Sequence, residues 1–173
     1  MTNPKLTQQE AGAKLYPFNL VERVKLLGIR GYYKKTMGNP VANDRGIYDD
    51  AIFLITPEIF ASFNANTDPS ITRKGVAVLK TGVWKYKKGK HKITSPTGYP
   101  AFVQADKVTV VRDQQGDDTG FFGINIHKGG FNTTSSLGCQ TIYPAQWEAF
   151  RILVYSEMDK YNQKIIPYVL IEE

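Results

Sequence analysis

Two side chains in this 173-residue sequence have the chemistry of a nucleophile and its base. Cys139 is the only cysteine, and His127, one of two histidines, precedes it by twelve positions. A thiol attacks as its thiolate, and a fixed imidazole nearby supplies the base that makes one near neutral pH. Residues 123–141 read in the order strand, glycine turn, polar loop, then Gly-Cys ahead of another element. His127 therefore sits at a strand end, which is a rigid mount. Gly129 and Gly130 let the backbone reverse and return Cys139 to it. Gly138 leaves room for a substrate carbonyl, and the backbone N–H groups of Gly138, Cys139 or Gln140 are candidates to hold an oxyanion. The expected catalytic set is Cys139, His127 and Gly138.

A third group should orient the imidazole. Asn125 shares a strand face with His127, Lys128 and Gly129 offer backbone carbonyls, and Asp117, Asp118 and Asn132 are close in sequence; the residues alone do not choose among them. On the substrate side, Ser135, Ser136 and Asn132 lie in the loop before the cysteine. Arg30 and Arg45 are candidates to recognise a carboxylate, with which arginine pairs bidentately. Each reading has a plainer rival. A free cysteine is often a small buried hydrophobe, but Ser-Ser-Leu-Gly before Cys139 and Gln-Thr after it are not a core run. Arginines more often form surface ion pairs, and His91, between Lys90 and Lys92, reads as an ordinary surface residue. One cysteine and two histidines lack zinc-ligand spacing, and residues 123–138 hold neither a Walker sequence nor a dinucleotide fingerprint, so neither metal nor cofactor is expected.

His127, the Gly-Gly turn and the run Ser135-Ser136-Leu137-Gly138-Cys139 resemble the catalytic signature of the L,D-transpeptidase family, the YkuD-type domains. The resemblance covers residues 121–143. It implies that Cys139 is the nucleophile and His127 the base, that the substrate is the peptidoglycan stem peptide, and that a thioacyl-enzyme forms. It also implies a YkuD-like β-sandwich of mixed sheets with helices at the side. The sequence departs from the family pattern at three points. The histidine common two positions before the nucleophile is Leu137, the Arg or Asn common two positions after it is Thr141, and the loop from His127 to Cys139 is short. These departures bear on substrate contacts more than on the attack chemistry. Hydrolysis is expected over cross-linking, giving a murein-active cysteine peptidase or acyltransferase. L,D-transpeptidase cross-linking and a non-catalytic cell-wall or polyanion-binding module are the alternatives.

The elements that must position this pair read as mainly β, a β-rich α+β domain with one packed helix near the C-terminus. A helical arm is expected over residues 1–16, a strand ending near Tyr33, an exposed loop over 37–46 and a short apolar strand over 51–55. Another loop is expected over 64–69, followed by strands at 76–79 and 83–87. Residues 108–112 and 121–127 should form an antiparallel pair around the turn-like stretch 113–118. Trp147, Phe150, Val154, Met158 and Tyr161 recur at helical spacing, and 165–171 closes as a strand. A chain of this size with 42% apolar residues is read as one domain, 1–173.

Charge narrows the partners. The net charge is +6, and residues 73–92 carry eight Lys and Arg with no acid between Asp68 and Asp106. Such a face favours polyanions, though a charge run is more often simply solvated. Trp84 and Tyr86 beside lysines are able to stack on bases, yet no nucleic-acid module is visible and none is expected. The first ten residues lack the apolar core of a secretory signal, and no segment approaches the length of a membrane span. With action expected at the cell wall or periplasm, these features suit a bacteriophage lysis or virion protein delivered by other means.

Overall fold

Eight strands close on themselves around the apolar core. The computed structural model describes residues 6–41, 44–92 and 94–173. In chain order the strands are β1 (Lys25–Arg30), β2 (Asp50–Ile55), β3 (Phe60–Asn66), β4 (Ala77–Leu79), β5 (Gly82–His91), β6 (Tyr99–Gln104), β7 (Val108–Arg112), β8 (Gly116–Gly120), β9 (Ile126–Lys128), β10 (Gln140–Ile142) and β11 (Ile165–Glu172). The helices are α1 (Gln8–Leu15), α2 (Lys34–Met37) and α3 (Trp147–Lys160). The main sheet runs β1-β11-β5-β6-β9-β10-β3-β2 and closes as a barrel, while β4, β7 and β8 form a separate three-stranded sheet. The mainly β class with a helix packed near the C-terminus is as expected; the main sheet is mixed, because β1 pairs parallel with β11 and β9 parallel with β10, and the three-stranded sheet is antiparallel.

Helix α3 fills the barrel with its apolar stripe. Trp147, Phe150, Val154 and Met158 are buried there, and Phe150 meets Phe63 and Phe102 edge-on at 5.0 and 5.6 Å. Alternation on β5 works as read: Trp84 and Tyr86 turn inward while Lys85 and Lys87 are exposed.

Other elements differ from expectation. The N-terminal helix is no loose arm: Ala11 and Leu15 are buried in a second cluster with Leu27, Ile29, Phe53 and Val169 on the outside of the barrel. Its start is fixed by a capping box, in which the Thr7 hydroxyl accepts from Glu10 N–H and the Glu10 carboxylate accepts from Thr7 N–H. Residues 1–5 of that expected arm, and 42–43 of the expected loop, lie outside the described residues. The partner of β7 is β8 and not residues 121–127. The sequence of β8, Gly-Asp-Asp-Thr-Gly, looks like a turn, yet cross-strand contacts hold it: Thr109 to Thr119 hydroxyls at 2.8 Å and Arg112 to Asp118 at 2.7 Å. The strand bearing His127 shrinks to β9 as a result. Strands β3 and β6 were not anticipated. No helix among the described residues is long and apolar enough to cross a membrane.

Candidate active site

Strand β9 carries His127 and β10 follows directly on Cys139, and the pairing of the two strands explains the spacing. They are parallel, with Gln140 opposite Ile126 and Thr141 opposite His127. Parallel neighbours require a crossover of about a dozen residues, and residues 129–139 supply it without a helix. Cys139 lies just ahead of β10, opposite Asn125: Gln140 N–H donates to Asn125 O at 2.8 Å and Asn125 N–H donates to Cys139 Sγ at 3.4 Å. One strand spacing sideways and two residues along puts the Cα atoms of Cys139 and His127 about 8 Å apart.

The crossover is held from both sides. Tyr48 donates to Gly130 O at 2.7 Å, and a Cβ on Gly129 would meet the Tyr48 hydroxyl, so that glycine is needed for the approach. Ser70 N–H donates to Ser136 O at 2.8 Å, Ser136 N–H donates back to Ser70 Oγ at 2.9 Å, and Ser70 Oγ lies 2.6 Å from Thr134 Oγ1. Ser136 then clamps the Cys139 backbone: its Oγ accepts from Gly138 N–H at 3.0 Å and donates to Cys139 O at 2.7 Å.

The orienting group for His127 is the backbone of its neighbour. Nδ1 lies 2.8 Å from Lys128 O; a carbonyl only accepts, so Nδ1 carries the proton and Nε2 keeps its lone pair. The Tyr99 hydroxyl, 3.2 Å from the same Nδ1, donates to Lys128 O at 3.3 Å. Asp117 and Asp118, two of the other candidates, pair with Lys80 and Arg112, and Asn132 is exposed. His127 is only 3% exposed, and burial, reinforced by His91, pushes its pKa down to about 4. The imidazole is thus neutral at physiological pH and has the form of a general base.

The thiol is in its resting state. Cys139 is half-buried, its Sγ donates to Gly123 O at 3.3 Å, and burial raises its pKa above the ordinary value despite the Asn125 N–H. Among the described residues no hydrogen bond joins the sulfur to the imidazole. With the thiol raised and the imidazole lowered, both groups rest neutral, so a thiolate here would have to form by proton transfer to Nε2. Comparison of the chain with protein-family models, curated proteins and solved structures finds no match.

Gly138 serves the fold more than the substrate. Its φ is 137°, and an added Cβ would lie 2.7 Å from Ala77 O and 2.9 Å from Ile124 Cδ1, so the missing side chain makes room for β4 and not for a substrate carbonyl. Two of the three amides proposed for an oxyanion are already committed, Gly138 N–H to Ser136 and Gln140 N–H to Asn125. Cys139 N–H is the one of the three with no acceptor among the described residues.

The substrate candidates divide. Ser135, Ser136 and Arg45 line one groove of about 420 Å³ with Gly46, Ser70 and Leu137. Leu137 is exposed and, with Ile71, gives the groove an apolar part. Asn132 is exposed on the same crossover but does not line it. The Arg45 guanidinium is already held bidentately by Asp113 at 2.6 and 2.8 Å. Arg30 is corrected outright: it is buried, paired with Asp68 at 3.2 Å and donates to Thr67 O and Leu79 O at 3.0 and 2.9 Å, so it braces strands and does not face a ligand. Among the described residues no cluster of three metal-ligating side chains occurs.

The basic segment is partly neutralised by acids from elsewhere. Lys80 pairs with Asp117, Lys85 with Asp106 and Lys88 with Asp159. The residue that sequence reasoning passed over is His91, which stacks on His127 with ring centroids 3.8 Å apart and planes 16° from parallel.

Proposed function

We propose that the protein is a murein-active cysteine peptidase or acyltransferase that works through a thioacyl-enzyme, with water favoured as the acceptor. The observation that carries this reading is the fixed tautomer of His127. Nδ1–H is spent on Lys128 O at 2.8 Å, which leaves Nε2 as the basic nitrogen, and β9, which carries His127, pairs with the strand that directly follows the only thiol in the chain. Cys139 Sγ attacks the carbonyl carbon of a stem-peptide bond while its proton passes to His127 Nε2. The oxyanion takes the free N–H of Cys139. Collapse returns the proton from Nε2 to the departing amine and leaves a thioester. Water then attacks the thioester with His127 again as base, freeing the acid and the thiol. An amine in place of water gives a cross-link. The groove lined by Leu137 and by hydroxyls of Ser70, Thr133 and Ser135 borders the segment leading into Cys139, with neither Cys139 nor His127 in its lining, and its mixed polarity suits the flanking part of a peptide.

The test is incubation of the protein with purified sacculi and muropeptides and reading of the products by mass spectrometry. Loss of a terminal D-alanine, scission of a cross-bridge or a new cross-link, each abolished by Cys139→Ala, supports the reading and tells the three reactions apart. Unchanged muropeptides with the thiol reduced sink it.

A second reading, a non-catalytic wall-binding module, is favoured by one observation: the resting thiol is protonated and hydrogen-bonded to Gly123 O. It predicts binding to sacculi that weakens steeply with salt and is indifferent to Cys139→Ala. The ion pairs of Lys80, Lys85 and Lys88 reduce the charge available for it.

A further inference from the structure

We infer that His91 is a positioning residue for His127: stacked face to face on it and tied to Asn125, it fixes the plane of the imidazole and governs the pH at which that ring takes up a proton. His91 ends β5, two strands away from β9, yet its ring lies flat on His127 at 3.8 Å. Contact across the whole face opposes rotation of the His127 ring, leaving the edge that bears Nε2 with one direction to point. The in-plane bond to Lys128 O fixes the other edge.

The tie to Asn125 links this stack to the nucleophile. Asn125 Nδ2 lies 3.2 Å from His91 Nδ1, so the amide donates and His91 is neutral with its proton on Nε2. The same residue gives its backbone N–H to Cys139 Sγ at 3.4 Å and its carbonyl to Gln140 N–H at 2.8 Å. Protonating His91 at Nδ1 removes the acceptor that the amide uses and places a cation on the face of His127. Two stacked imidazoles do not both take a charge readily, and they titrate as a coupled pair.

Among the described residues, the titratable and charged groups around the pair are Lys92 beside it on the chain, Tyr99 on β6, Lys128 on β9 and Cys139 ahead of β10. Lys92 bears on both rings in the same sense as a charged His91, disfavouring protonation. During acyl transfer His127 must accept the thiol proton. A neutral His91 offers the nascent imidazolium a π face, and a charged one repels it.

The chain has two histidines, so imidazole NMR resolves both without ambiguity. Titrations of the full chain are compared for wild type, His91→Phe and His91→Ala. In both variants the protonation of His127 is expected to move to higher pH, because the second titrating ring is gone. Loss of an aromatic stack in His91→Ala should lower kcat by about 2- to 12-fold at unchanged KM, with His91→Phe recovering most of it. A His127 titration that superimposes on wild type in either variant overturns the inference, as does a Phe variant no better than Ala. The kinetic arm rests on the proposed Cys139 chemistry. If wild type and Cys139→Ala are equally inactive, that chemistry fails, while the His127 titration still decides the role of His91.

Discussion

Alkylation of Cys139 across the pH range separates a thiol activated only during attack from a thiolate formed in advance. Burial raises the thiol above its ordinary pKa, and His127, pushed down to about 4, carries no charge at pH 6 with which to stabilise a thiolate. Three pH units below the titration of an ordinary or raised thiol, the thiolate fraction is about 10⁻³ or less. A preformed imidazolium–thiolate pair would instead be almost wholly thiolate at pH 6, so the two cases differ by about 1,000-fold there. The assay is the pseudo-first-order rate with iodoacetamide from pH 5 to 10, followed by intact mass. One cysteine makes the site certain. The expected profile climbs about tenfold per pH unit up to pH 9 and keeps its form in His127→Ala. That same substitution should lower acyl transfer by about 10²- to 10⁴-fold, because the proton acceptor is lost. A rate plateau between pH 5 and 8 that vanishes in His127→Ala would refute the assignment of a neutral pair.

Three further outcomes follow from the geometry. Ser136→Ala removes the oxygen that accepts from Gly138 N–H and donates to Cys139 O; a loss of about 1–3 kcal/mol in urea denaturation, with lower turnover, is expected. Arg30→Ala removes a buried guanidinium that pairs with Asp68 and donates to Thr67 O and Leu79 O, and a loss on the order of 3 kcal/mol is expected; a change in KM at unaltered stability would restore Arg30 as a substrate contact. Asp49 is buried with Oδ1 unpartnered, and burial raises its pKa from 3.8 to about 6. The folded state therefore holds the proton more tightly, and stability declines as pH rises from about 4 to 6, by up to about 3 kcal/mol. Asp49→Asn should flatten that part of a melting-temperature profile, whereas an unchanged slope would reject the assignment.

The legibility of this site in the sequence varies with the range of the contact involved. Cys139 and His127 were visible because their residue types are rare here and their spacing fits a parallel crossover. The Lys128 carbonyl stood among the candidates to orient the ring, but choosing it needed the tautomer, which only geometry gives. His91 had one readable signal, its place on the same face of β5 as Lys85 and Lys87; that it meets His127 depends on the register of β5 with β6 and β6 with β9. Arg30 and Arg45 show the opposite failure. Arginine next to a groove looks like a ligand contact, and nothing local reveals that Asp68 and Asp113 have already claimed these two. Strand β8 was hidden by turn-like composition, since its stability lies in cross-strand pairs with β7 that carry no local pattern.

The crossover between β9 and β10 is anchored at both ends by strands and along its length by Tyr48 and Ser70. Along it the side chains of Phe131, Asn132, Thr133 and Leu137 are exposed, Phe131 packing edge-on against Tyr143 and Thr133 Oγ1 accepting from Ser135 N–H. Of these, Thr133 and Leu137 line the groove, so exchanging them changes its lining while Cys139 and His127, held by β9, β10 and Ser136, keep their seats.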